Sequence, residues 1–257
     1  MIPRIIHQTW KSSDLPDRYR TLAGSWTRSH PRWQWRLWTD ADNLRLVEQE
    51  FPELLALYQS YPYPIQRIDM IRYLILYRFG GLYVDLDFEC FKPVDPLLSG
   101  QTCVLSLEAS AHNSVHGTRR IVSNAFMAAV PEHPLFAAVI KDLQSHRSRQ
   151  TQPDRIVLDT TGPMMLTRVV DRFGSSPGIQ VLPAEHLFPL SLTEADALAT
   201  AEPGAVADPE VHGRLNVAYG VHWHDGGWWR TRPAAVPAQR QPARRFRQWL
   251  AALRGAR

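Results

Sequence analysis

The sequence lacks the marks of several protein classes at once. Two cysteines in 257 residues, Cys90 and Cys103, are too few for a disulfide framework and are not spaced as metal ligands, which fits a reducing compartment. No apolar run approaches the ~20 residues that span a bilayer, and the opening stretch has no signal-peptide core. A soluble, cytoplasmic chain is the expectation. Acids are missing from the end of the chain: between Gln239 and Arg257 stand six arginines and no Asp or Glu. Taking those six charges from the net charge of +4 leaves the rest of the chain at −2. The basic character therefore belongs to a tail on a near-neutral body, which excludes a nucleic-acid groove and points to a local anionic partner such as a membrane surface.

What is present is enough for one large core, with 44% hydrophobic and 21% charged residues. The apolar pattern predicts a strand over residues 3–8, a helix over 15–29 and a strand over 33–39 that carries Trp33, Trp35 and Leu37 on one face. Asp40 is placed to cap a helix that stops before Pro52, and another helix spans 53–61. A longer one over 65–79 repeats Ile65, Ile68, Ile71 and Ile75 at helical spacing and ends at Gly80-Gly81. Strands follow at 82–88, 102–107 and 122–126, helices at 135–143 and 163–173, and a surface loop at 193–213. Strands alternating with helices predict an α/β fold with a mixed, mainly parallel sheet.

The segment from Arg67 to Asp87 carries the chemistry. Asp69 and Arg72 stand three apart on one helix face, so acid and base can point together at a ligand. Two glycines then allow a sharp turn and close backbone approach. Asp85 and Asp87 are expected on one face of the following strand, roughly 6 to 7 Å apart along the backbone. If their oxygens approach to ~4 Å, the repulsion at an effective dielectric of ~20 is about 4 kcal/mol unless a cation or proton intervenes. Hard oxygen ligands select Mg²⁺ or Mn²⁺, which complete their shells with water and substrate phosphates. A bare Asp-x-Asp is more often a solvated strand end; the glycines and the Asp69/Arg72 pair turn the balance toward a diphosphate site.

Residues 2–10, Asp69-x-x-Arg72, Gly80-Gly81-x-Tyr83-x-Asp85-x-Asp87, Asn124, Thr161-Gly162-Pro163 and His222-x-x-x-x-Gly227-Trp228 resemble the DXD-containing glycosyltransferase family 32. Its members are the yeast initiating α-mannosyltransferases and bacterial capsular and exopolysaccharide relatives; the glucosylating domains of clostridial toxins are similar at greater distance. The resemblance implies a GT-A-like fold, a nucleotide-diphosphate sugar as donor, Mn²⁺ or Mg²⁺, and retention of anomeric configuration. It implies Asp87 as direct metal ligand, Asp85 on the donor ribose and sugar directly or through the metal, and Asp69 and Arg72 on the sugar hydroxyls and diphosphate. Trp10 would stack on the nucleobase, and His222 would close the site on metal or phosphate. Gly227 departs from the family's usual Ser, which removes a side-chain phosphate contact.

His7 and Asn124 divide between structural and site roles, Thr161-Gly162-Pro163 between a site role and a helix start, and tryptophans 26, 33, 35 and 38 read as packing. A haloacid-dehalogenase-like phosphatase also uses Asp-x-Asp after an apolar strand, but it wants Thr or Val where Glu89 stands and an acidic pair that does not follow. A non-catalytic sugar-binding module would not need two carboxylates. The expected organisation is a transferase domain over 1–232 and, over 233–257, a linker and a basic amphipathic helix. In that helix Phe246, Trp249, Leu250 and Leu253 form one apolar stripe, which would dock either on the enzyme's own body or, as the flanking arginines favour, on the inner face of a membrane beside a glycan or lipid-linked acceptor in polysaccharide biosynthesis.

Overall fold

The computed structural model describes residues 1–200 and 208–225. The chain opens β1 (Ile5–Thr9), α1 (Asp17–Ser29), β2 (Gln34–Trp38), α2 (Asp40–Glu50), α3 (Leu55–Ser60), α4 (Pro64–Phe79), β3 (Gly81–Val84) and β4 (Phe88–Cys90). It continues α5 (Asp95–Leu98), β5 (Cys103–Leu107), α6 (Ser110–His116), β6 (Val122–Ala129), α7 (Pro134–Ser145), α8 (Pro153–Thr160) and α9 (Pro163–Phe173). The described part ends with β7 (Ile179–Leu182), α10 (Leu192–Thr200), α11 (Pro209–Val217) and β8 (Gly220–His222).

The main sheet runs β2-β1-β3-β6-β5-β7, and only β6 is antiparallel to its neighbours. This is the mixed, mainly parallel sheet of a GT-A-like α/β fold. Alternation divides each strand between two cores. Tyr83, Met127 and Ala129 pack with α4, α7 and α9 on one face, while Leu82, Val84, Phe126 and Ala128 pack with Trp26 of α1 and Phe88 on the other. The chain moves from β1 to β2 on one side and then to β3 on the other. That reversal opens a crevice at the carboxyl ends of β1 and β3, where open α/β sheets bind ligands.

Three local expectations need correction. The strand expected over 82–88 is two strands: β3 stops at Val84, a turn closes from Asp85 O to the Phe88 N–H at 3.1 Å, and β4 leaves the main sheet to pair with β8. Asp85 and Asp87 therefore sit in the break and not on a strand face. The α2 cap is Thr39 and not Asp40, with Thr39 and Asp42 exchanging hydrogen bonds as a capping box. The loop expected over 193–213 holds parts of α10 and α11. The C-terminal linker and amphipathic helix lie outside the described residues.

Gly81 has φ of +91°, and a Cβ there would meet Ile5 O at 2.7 Å, so β1 and β3 can close only around a glycine. His7 braces the same junction. Its Nε2–H donates to Gly80 O at 3.0 Å and its Nδ1 accepts the Trp38 Nε1–H at 3.1 Å, which satisfies a neutral imidazole completely. Burial lowers its pKa from 6.5 to about 4. Between those values the unfolded chain binds the proton and the folded one does not, so the stability present above pH 6.5 drains as the pH falls toward 4. At ~1.4 kcal/mol per unit this amounts to about 3 kcal/mol. Urea unfolding should show the stability gap between wild type and His7→Gln shrinking as the buffer is acidified; a gap independent of pH would contradict this role.

Candidate active site

A cleft of about 720 Å³ lies at the carboxyl ends of β1, β2 and β3. Thr9, Trp10 and Lys11 line it from the end of β1, Asp40 from the end of β2, and Asp85, Leu86 and Asp87 from the break after β3. Helix α4 contributes Arg67, Ile68 and Arg72, and the end of β8 contributes His222 and Asp225.

Asp85 continues the alternation of Tyr83, which turns it toward α4. The Tyr83 hydroxyl donates to Asp85 Oδ1 at 2.9 Å, and Arg72 NH1 donates to Oδ2 at 3.2 Å and to Asn124 O at 3.1 Å. The other Arg72 arm, NH2, reaches Asp69 Oδ1 at 3.3 Å. Asp69 is set back behind this layer. Asn124 Nδ2 donates to its Oδ1 and Thr161 Oγ1 to its Oδ2, both at 3.0 Å. Asn124 and Thr161, far apart in sequence, thus meet on one carboxylate. Burial raises Asp69 to about 6 against the pull of Arg72. Burial alone would lower Arg72, but Asp85, Tyr83 and Asp69 outweigh it and fix its positive charge.

Asp87 faces β8. His222 Nε2 lies 3.0 Å from its Oδ1, the Asp225 N–H donates to Oδ2 at 2.9 Å, and the Trp223 N–H donates to its backbone carbonyl at 3.0 Å. The two motif acids are driven apart electrostatically. Burial raises Asp85 despite Arg72, whereas at Asp87 the opposing burial effect is outweighed by His222, His224 and the Asp225 N–H, leaving it well below the carboxylate range. Asp85, Asp87 and His222 each offer a ligand atom, all within 4.8 Å of one another. The His222 Nδ1 is buried with no protein partner among the described residues. Two carboxylates and an imidazole suit Mn²⁺ or Mg²⁺, with open positions for phosphate oxygens.

Trp10 is in the cleft wall, its ring 4.8 Å from that of Tyr19. The other tryptophans pack as expected: Trp26 donates to Phe88 O, Trp33 to Asp95, Trp35 to Gln8 and Trp38 to His7. Gly162 precedes α9 and Pro163 opens it, so this motif is a helix start whose Thr161 also serves Asp69. Gly227 and Trp228 lie outside the described residues. Sequence reasoning did not single out Tyr83 as the Asp85 anchor, although its i, i+2 spacing was a usable signal. It also missed Arg18, which grips Asp225 with two bonds of 2.7 Å across 207 positions, a separation that no local pattern encodes.

Residues 16–104 match the family of glycosyltransferase sugar-binding regions containing a DXD motif. The chain carries the DXD glycosyltransferase region. Inositol phosphoceramide mannosyltransferase 1 of Schizosaccharomyces pombe is 36% identical over 189 residues, covering 71% of this chain and 56% of that protein. A mannosyl phosphorylinositol ceramide synthase of Saccharomyces cerevisiae is 32% identical over 233 residues, covering 88% of this chain and 54% of that protein. This chain thus spans about half the length of the curated relatives it matches. The DXD chain also shares its fold with the solved PaToxG glycosyltransferase, at a TM-score of 0.51 and 17% identity, over 67% of this chain and 70% of that one. No helix among the described residues is long and apolar enough to cross a membrane.

Proposed function

We propose that the chain is a metal-dependent, retaining glycosyltransferase that moves a hexose from a nucleotide-diphosphate sugar to a hydroxyl of a glycan or glycolipid. The observation that carries this reading is the convergence of Asp85, Asp87 and His222 within 4.8 Å in the cleft at the β1/β3 crevice, with Arg72 beside them. A divalent cation held by those three residues would neutralise the departing diphosphate. Arg72 adds a fixed positive charge at the same place, oriented before the donor arrives because Asp69, Asp85 and Asn124 O hold both of its arms. Asp69 then acts on the donor through Arg72. Of the two remaining acids of the cleft, Asp225 has both oxygens on Arg18 and Asp40 stands at the end of β2, ~10 Å from the end of β3, so neither is poised as a nucleophile. This supports attack by the acceptor on the face the leaving group departs from.

Motif likeness ranks a UDP-sugar first and GDP-mannose second, while the relatives' names, as mannosyltransferases, favour mannose and so the second. Screening UDP- and GDP-sugars for donor hydrolysis with and without Mn²⁺ tests the reaction class. Turnover of at least one donor, abolished by EDTA, is expected; no turnover with any donor, or full turnover in EDTA, would overturn it.

The domain over 1–232 and the tail over 233–257 remain part of this proposal. Each tail arginine near an anionic leaflet contributes about 1 kcal/mol, and Trp249 favours the interface. Deleting residues 239–257 should spare donor hydrolysis and abolish sedimentation with anionic liposomes. Undiminished sedimentation of the truncated protein would remove the tail's membrane role.

A further inference from the structure

The cleft continues from Asp85 and Asp87 past Trp10 and Lys11 at the end of β1 to Asp40 at the end of β2, with Tyr58 of α3 and Arg67 of α4 also in its lining. Adjacent strands are ~4.8 Å apart, so the end of β2 lies two spacings, ~10 Å, from the end of β3. A diphosphate and ribose span a distance of that order. With the diphosphate at the carboxylates, which rests on the nucleotide-sugar reading above, the base falls between Trp10 and Asp40.

Asp40 is the first residue of α2, but the cap of that helix is already made by Thr39 and Asp42. Its carboxylate is exposed to the cleft and, among the described residues, has neither a hydrogen-bond partner nor a cation within 4.0 Å. Partial burial raises its pKa, against the weaker and more distant pull of Arg67 and Lys11. An acceptor-only group thus stands at the β2 end of the cleft with no donor bound to it among the described residues.

We propose that Asp40 reads the nucleobase and selects guanine over uracil. Guanine presents N1–H and an exocyclic N2–H side by side, a pair of donors that matches the two oxygens of one carboxylate. Both bonds are charge-assisted. Uracil presents a single N3–H between two carbonyl oxygens, so a carboxylate that takes the proton donor also faces two acceptors. Discrimination by paired or unpaired polar groups is much stronger than discrimination by shape. Trp10 supplies a stacking face that every base can use, so it adds affinity without choice.

Calorimetric titration of the full chain with GDP and with UDP, each in Mn²⁺, tests the assignment in wild type, Asp40→Asn and Asp40→Ala. Wild type should bind GDP roughly tenfold or more tightly than UDP. Both variants should weaken GDP by a similar factor and bind UDP no more weakly than wild type, which also reports an intact fold. A GDP-to-UDP ratio equal to that of wild type in either variant, or wild-type preference for UDP, overturns the role of Asp40 while leaving the transferase reading in place. If wild type binds neither nucleotide, the nucleotide-sugar reading fails and the assignment fails with it.

Discussion

Asp87→Asn is expected to lower Mn²⁺-dependent donor turnover by about 10³-fold while the protein stays folded. The amide keeps an oxygen that can accept the Asp225 N–H, and the bond from the Trp223 N–H goes to the backbone carbonyl, which the substitution leaves alone. What disappears is the negative charge that His222 and the neighbouring N–H hold in place. If the cation supplies several kcal/mol of charge stabilisation to the departing diphosphate, at 1.36 kcal/mol per tenfold, a loss of about 4 kcal/mol gives the stated factor. Asp85→Asn should differ in kind, because Asp85 also neutralises buried Arg72, and so should cost stability as well as turnover. Steady-state donor hydrolysis and thermal melting of both variants separate the two cases. Turnover of Asp87→Asn within about tenfold of wild type would remove the metal assignment.

Much of the site was legible because its elements are local. The apolar helix, the two glycines and the acids after them occupy one run of sequence, and α4 places Asp69 and Arg72 on one face as helical spacing requires. The break between β3 and β4 was not legible for a physical reason. Leu82, Val84, Leu86 and Phe88 keep a period of two straight through it, so the pattern is that of one strand. The interruption comes from partners distant in sequence, with β6 holding β3 and β8 drawing β4 away. The convergence of Asn124 and Thr161 on Asp69 is equally tertiary. Helix α10, by contrast, was expected as loop although a local signal for it stands in the sequence. Ser191 and Glu194 form the Ser-x-x-Glu capping box, each side chain accepting the other's backbone N–H, and this signature outweighs the Ala- and Asp-rich composition that suggested a loop. Asp208 and Pro209 likewise cap and open α11.

The largest expected effect on stability is at Arg72. Its side chain is 7% exposed and is the only cation within salt-bridge distance of Asp69 or of Asp85 among the described residues. Arg72→Met removes one partner from a buried ionic group, which costs about 3 to 5 kcal/mol because the charges left behind have no water. Asp69 already titrates near 6 with the guanidinium beside it, so without it the folded-state pKa must rise further above the ordinary carboxylate value of 3.8. A folded-state pKa above the unfolded one means that the native state binds the extra proton, so the stability deficit of Arg72→Met grows as the pH rises and is relieved as the pH falls. Adding Asp69→Asn to Arg72→Met should recover part of the loss at neutral pH, since one of the stranded charges is gone. Arg72→Lys keeps the charge but not the two-armed geometry, and should retain more stability than turnover. Urea unfolding at several pH values, with the exposed Arg147→Ala as reference, checks each step. A deficit no larger than that of Arg147→Ala, or one that grows on acidification, would show that Arg72 is not the electrostatic keystone between Asp69 and Asp85.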